Sequence, residues 1–298
     1  MKNLYYLLAI LLFVGCKSDD SPLSAPSGVS NVSARADTGA VVLSWDLPAD
    51  SSFLYLDISY DKYPNSPDTS KIIHTKASRH ADSLVIDGLL HKYEYAFKIQ
   101  PFNANPDDAV GGEVLTTDKV KPIKRPVEMV YYPDELTKIE GITADMIDTY
   151  TQEPSEGPKE NLLDGDINTY WHSAWSSGVA PLPHWVEFTF QQEKSVGAFK
   201  YNLRQTPDTR GFPTQFALDI SKDGNEWKRV WESDSDLPHS PVDKEFTLDA
   251  GKNYNSKHFR VIILTNAGGT SFTHLSELSL YTMKVQATDL EEQAEQNY

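Results

Sequence analysis

Strand-period alternation constrains this chain more than any other feature. Leu54, Leu56, Ile58 and Tyr60 alternate with Tyr55, Asp57 and Ser59, the period of two that buries one face of a pleated strand and wets the other. Val41-Val42-Leu43-Ser44-Trp45 is a β-rich run closed by Asp46 and Pro48, and residues 83–89 and 93–99 are two more such runs separated by turn chemistry. The pattern returns at residues 185–190, 198–204, 216–221, 259–264 and 275–281, with Lys222-Asp223-Gly224-Asn225 as a hairpin turn ahead of Trp227. Aromatic residues make up 11% of the chain, with 6 Trp and 15 Tyr, a bias that favours strands over helical bundles. Since 298 residues make about two domains, with three possible, the expected class is all-β.

One cysteine among 298 residues excludes an intrachain disulfide, so stability must come from packed cores, assisted at most by a metal. The net charge of −16 repels phosphate backbones, so nucleic acid is not an expected partner.

The position of that cysteine matters more than its number. Residues 1–16 read MKNLYYLLAILLFVGC, with Lys2 ahead of an apolar run from Leu4 to Val14 that is too short to span a bilayer comfortably. The ending Phe13-Val14-Gly15-Cys16 resembles the lipobox of bacterial lipoproteins, which implies a signal peptide over 1–16 and lipidation of Cys16. Lys17-Ser18-Asp19-Asp20 resembles the acidic signal that directs Bacteroidetes lipoproteins to the outer surface of the outer membrane. Residues 17–25 then read as a tether, so the membrane would be met through the lipid anchor only.

Residues 26–117 form the first expected domain. Trp45, and Leu89 followed six residues later by Tyr95, resemble the core tryptophan and the tyrosine corner of fibronectin type III domains, an immunoglobulin-like sandwich. Both residues pack in that family, so this domain is expected to act as a spacer. Residues 118–137, opening on the basic, Pro-containing stretch DKVKPIKRP, read as the linker.

Residues 138–285 carry the chemistry. A DGDxxTxWxS segment starts at Asp164, a strand ends in Arg204, an SxDGxxW hairpin starts at Ser221, and an ELxxY strand starts at Glu277. This order resembles the discoidin, or coagulation factor 5/8 type C, domain, a jelly-roll β-sandwich, and within it the family 32 carbohydrate-binding modules. Asp164-x-Asp166-x-Asn168 is not an EF-hand, because Thr169 and Trp175 stand where Gly and Glu are required. It is a cluster of oxygen donors in a tight turn. The resemblance implies a structural Ca2+ held by Asp164, the turn at Asp166, Thr169 and Glu277; without metal the same residues would form a hydrogen-bonded Asx turn.

A sugar presents apolar C–H faces and a ring of hydroxyls, so its site needs an exposed aromatic platform beside fixed donors and acceptors. Trp175, in a Ser-, Gly- and Pro-rich loop, is the expected platform, with His172, Arg204 and Asn266 as polar partners. Trp171 and Trp185 are expected in the core, and His184 is expected packed or solvated. No GxSxG elbow, phosphate loop or HExxH occurs, and no catalytic role is expected. Residues 286–298 read as a disordered acidic tail. The resemblance thus implies a surface lipoprotein that captures a glycan for a polysaccharide uptake complex, or alternatively an adhesin whose discoidin domain binds host protein or lipid.

Overall fold

The computed structural model describes residues 24–48, 53–66, 71–103, 109–240 and 243–298. The signal peptide, most of the tether and Cys16 lie outside these. The chain divides into two units, one of residues up to 128 together with 288–298, the other of residues 129–287.

In the first unit, β1 (Ser30–Asp37), β2 (Ala40–Asp46), β3 (Tyr55–Asp61), β4 (Ile72–Ser78), β5 (Ser83–Ile86), β6 (Lys98–Phe102) and β7 (Leu115–Thr116) form two antiparallel sheets, ordered β1-β2-β5 and β4-β3-β6-β7. The alternation explains which faces meet. Val41, Leu43 and Trp45 of β2 and Leu56 and Ile58 of β3 are buried, whereas Leu54, first of its alternating set, is exposed. Trp45 donates its indole N–H to the Ala81 carbonyl at 2.8 Å, which satisfies the one polar group on a buried ring. The Leu90 N–H donates to the Tyr95 hydroxyl at 3.1 Å, the link expected at a tyrosine corner. The strand expected over 93–99 begins only at Lys98, and Tyr95 makes an isolated bridge with Val120.

The second unit is built on two long strands. Its elements are β8 (Val127–Lys138), β9 (Ile147–Thr149), β10 (Trp171–His172), β11 (His184–Asn202), β12 (Pro213–Ser221), β13 (Lys228–Glu232), β14 (Glu245–Asn266), β15 (His274–Leu275) and β16 (Glu277–Asp289). The large sheet runs β13-β12-β14-β11-β16-β8, with β9 on the early part of β11 and β10 paired separately with β15. Residues 184–189 of β11 pair with 258–263 of β14, and residues 198–202 pair with 245–249. Each long strand therefore serves two regions of the sandwich. Phe188, Phe199, Tyr201, Phe216, Phe259, Leu278 and Leu280 fill the core between them.

Two expectations are corrected. Part of the presumed linker is β8, which pairs with β16. The presumed disordered tail continues β16 to Asp289 and then forms the helix α1 (Leu290–Gln296).

Phe216 is fully buried, with its ring 4.7 Å from Tyr201 and 5.4 Å from Phe199. Truncation would leave a void that packed neighbours cannot fill, so Phe216→Ala should cost about 3–5 kcal/mol. Urea unfolding of the second unit measures this, and a loss under about 1 kcal/mol would contradict the packing described.

Candidate functional site

A buried carboxylate organises one end of the second unit. Glu153 is 2% exposed. Its Oε2 accepts the Trp175 and Ser176 N–H groups, each at 3.0 Å. Its Oε1 accepts the Ser176 hydroxyl at 2.5 Å and the Ser155 hydroxyl at 3.0 Å. A buried charge is tolerable when its lone pairs are filled in this way. The Ser176 hydroxyl first, then the Trp175 N–H, draw the Glu153 pKa down from 4.5 to about 2.

This anchoring turns Trp175 outward. Trp175 is 50% exposed, and its Nε1 donates to Glu156 Oε1 at 2.9 Å. Glu156 Oε2 accepts the Tyr170 hydroxyl at 2.6 Å, and that bond is the main reason its pKa falls. Arg204 lies over the Tyr170 ring, with Cζ 3.5 Å from the centroid. Among the described residues no ion pair within 4.0 Å engages its guanidinium. The half-buried Arg204 thus lies against the face of Tyr170 and also interacts with the Tyr170 hydroxyl. Gly157 permits the turn that carries Glu156, because its φ is +62° and a Cβ would stand 2.7 Å from the His172 nitrogen.

His172 adds an acceptor. It is 5% exposed, and Nδ1 donates to the Ser173 carbonyl at 2.7 Å. Burial pulls its pKa below the usual value, so the ring is neutral at pH 7 and Nε2 carries the free lone pair. Its ring lies 6.4 Å from Tyr170 and 5.2 Å from His274. His274 is buried, its Nδ1 has no partner, and burial pushes its pKa down to about 3.

The structure therefore brings Trp175, His172 and Arg204 into one cluster. Asn266 reaches that cluster only through Phe272, whose carbonyl it bonds at 2.7 Å and whose ring lies 5.4 Å from His172. That amide donates to Thr270 Oγ1 and to the Thr270 and Phe272 carbonyls and accepts the Thr270 N–H, so its hydrogen-bonding capacity closes its own loop. Sequence reasoning missed Glu153, Glu156 and Tyr170. The two glutamates sit in an irregular loop (TQEPSEGP) with no periodic signal, while Tyr170 lay inside the quoted motif. Trp171 is buried as expected, with its indole N–H unpartnered. Trp185 instead lies on an outer face, with Arg260 Cζ 4.1 Å from its ring and 3.9 Å from Trp227. His184 is packed, its Nε2 donating to the Ser271 carbonyl at 2.8 Å.

The oxygen-rich turn lies on the other side of the TxWH segment. Asp164 Oδ1 accepts the Asp166 N–H at 2.8 Å, and Oδ2 accepts the Thr169 hydroxyl at 2.7 Å. Asp166 Oδ1 accepts the main-chain and side-chain N–H groups of Asn168, which ties it to the turn. Ser276 fastens the turn from β15's side, its hydroxyl donating to the Ile167 carbonyl at 2.8 Å. Glu277 reaches Asp164, and burial first, then Asp164, push its pKa up to about 7. Glu277 Oε1 is buried with no partner. Two apposed carboxyls and an orphaned oxygen are what a bound cation would relieve. Among the described residues no three His, Cys, Asp or Glu side chains converge, so such an ion would also draw on hydroxyl and carbonyl oxygens.

Residues 147–278 match the F5/8 type C domain. The second unit thus carries a discoidin-type β-sandwich, and the cluster at Trp175 belongs to this F5/8 type C domain. Residues 26–115 match DUF4959, a domain of unknown function. A stretch of 98 residues, 30% of this chain, is 33% identical to the A type blood N-acetyl-alpha-D-galactosamine deacetylase of Flavonifractor plautii, of which it spans only 12%. Among solved structures, CpGH89CBM32-5 from Clostridium perfringens, in complex with GalNAc-beta-1,3-galactose, is 23% identical with a TM-score of 0.38, over 45% of this chain and 92% of that one. The NanJ family 32 CBM from C. perfringens, in complex with galactose, is 19% identical with a TM-score of 0.38, over 52% and 99%.

Glu153 titrates below its ordinary range, so it contributes stability that is complete above about pH 4.5 and is lost as pH falls towards about 2. Glu153→Gln keeps an acceptor but removes the charge. The variant should melt below wild type at neutral pH, and the gap should narrow between those two pH values. Parallel melting profiles across that window would contradict the role given to Glu153.

Proposed function

We propose that the F5/8 type C domain binds a glycan at the Trp175 end of its sandwich. The observation that carries this reading is an exposed indole fixed at its N–H by Glu156, with the Arg204 guanidinium against the neighbouring Tyr170 ring and outside any ion pair among the described residues. An indole face suits the C–H side of a sugar ring, and a guanidinium gives paired donors to neighbouring hydroxyls. His172 Nε2 supplies an acceptor. The glutamates pre-set the platform, so little side-chain entropy is lost on binding. The two clostridial modules are in complex with a GalNAc-galactose disaccharide and with galactose, ligands of this class.

The same reading takes the chain as a surface lipoprotein, lipidated at Cys16 and serving an outer-membrane uptake complex, with the first unit as a fibronectin type III-like spacer. Ca2+ is its structural cofactor. Asp164, Thr169 and Glu277 would hold it with carbonyls of the Asp166 turn, and the ion would neutralise the two apposed carboxyls.

Sugar hydroxyls lose water as they gain protein partners, so the net gain is small. Affinity should lie between roughly micromolar and millimolar, about 4 to 8 kcal/mol. Calorimetry against glycans chosen by array should show Trp175→Ala losing most of the binding with its melting temperature nearly unchanged. Binding like wild type, or an unfolded domain, would overturn the platform role.

Chelator should lower the melting temperature of the second unit, by an amount equal to a few kcal/mol when Ca2+ had exceeded its dissociation constant about a hundredfold. Asp164→Ala should abolish that sensitivity. An identical melt with and without chelator would remove calcium from the account.

A further inference from the structure

Residues 288–298 follow the second unit in sequence yet cluster with the first. α1 has seven residues, capped by Asp289, whose side chain accepts the Glu291 and Glu292 N–H groups. A helix this short is marginal on its own, so other contacts must hold it.

Two sets do so. Glu291 is 3% exposed. Its Oε1 accepts the His91 N–H at 2.7 Å, and its Oε2 accepts the Arg125 N–H at 3.2 Å and Nη1 at 3.0 Å. The same guanidinium donates to the Leu89 carbonyl at 3.0 Å and the Gly39 carbonyl at 3.2 Å. Gly39 must be glycine for this, since its φ is +60° and a Cβ would stand 2.3 Å from Arg125 Cζ. One ion pair therefore joins the β1–β2 turn, the 89–91 segment, Arg125 and the C-terminal helix.

The second set is aromatic. The Tyr298 ring meets Tyr63 edge-on at 5.4 Å and Tyr93 at 6.2 Å, and the Lys62 ammonium lies 4.4 Å from its centroid. Its hydroxyl donates to the Lys62 carbonyl at 2.8 Å and so must accept from Tyr95 Oη at 3.0 Å. Tyr95 Oη in turn accepts the Leu90 N–H. A one-way relay results, from Leu90 through Tyr95 and Tyr298 to Lys62, which extends the tyrosine corner by one residue from the far end of the sequence.

We propose that residues 288–298 are an integral part of the first unit, closing its tyrosine-lined end through Glu291–Arg125 and Tyr298–Tyr95, so that this unit is discontinuous in sequence and becomes fully stable only when the C-terminal segment is present. It follows that the stretch matching DUF4959 is not the whole of the folding unit, and that the first unit completes its fold after residues 129–287 have been made.

Hydrogen exchange on the full chain tests this against the chain ended at Ala287 and against Glu291→Gln and Tyr298→Phe. Removing one partner of a buried pair leaves the other uncompensated. Ending the chain at Ala287 should speed exchange about tenfold or more at residues 89–99 while leaving residues 184–202 unchanged. A synthetic 288–298 peptide should restore protection. The point variants should give smaller accelerations in the same residues, which keeps the test decisive if the shortened chain does not fold. Unchanged exchange at 89–99 in the point variants, or equal acceleration in both units, would overturn the proposal.

Discussion

The buried carboxylate of Glu153 fixes the candidate site, since it takes four donors from residues 155, 175 and 176. Those donors would otherwise be loose ends of an irregular loop, and the buried Glu153 charge would be costly without them. Their convergence on one charge leaves the loop a single low-energy path. Trp175 faces outward because its own N–H is turned inward. Everything else at the site hangs from that orientation: Glu156 catches the indole N–H, Tyr170 catches Glu156, and Arg204 rests on Tyr170.

The arrangement also accounts for how a polar site survives beside a packed core. Trp171 and Tyr170 are neighbours in sequence, but Trp171 points into the core while Tyr170 remains at the rim. Trp171 enters β10, which pairs with β15 at Leu275, whereas Tyr170 precedes that strand. The entry into β10 thus separates an aromatic residue that stabilises the core from one that supports the site.

The fold was largely legible because period-two alternation reports burial directly. Val41, Leu43 and Trp45 fall inward as their spacing requires, and the motif from Asp164 to Ser173 located the turn and the rim. The exposed Trp175 and the packed Trp171 were told apart by loop composition alone. What was not legible depended on long-range or aperiodic contacts. Glu153 and Glu156 sit in a loop with no pattern, and the bonds by which the Asn266 amide closes its own loop leave no periodic signal either. Residues 286–298 look disordered by composition, and it is β16 and distant partners such as Arg125 and Tyr95 that order them. Trp185 was misplaced because its cover is Arg260, a cation that no apolar pattern would flag.

The central claim is that ligand meets one indole, Trp175, and the six tryptophans allow it to be tested directly. The indole N–H signals of the full chain, assigned by substitution, can be followed by nuclear magnetic resonance during titration with an array-selected glycan. The account predicts a saturable shift of the Trp175 signal, with Trp45, Trp185 and Trp227 left in place. Saturable movement at Trp185 or Trp227 with Trp175 unmoved would contradict it.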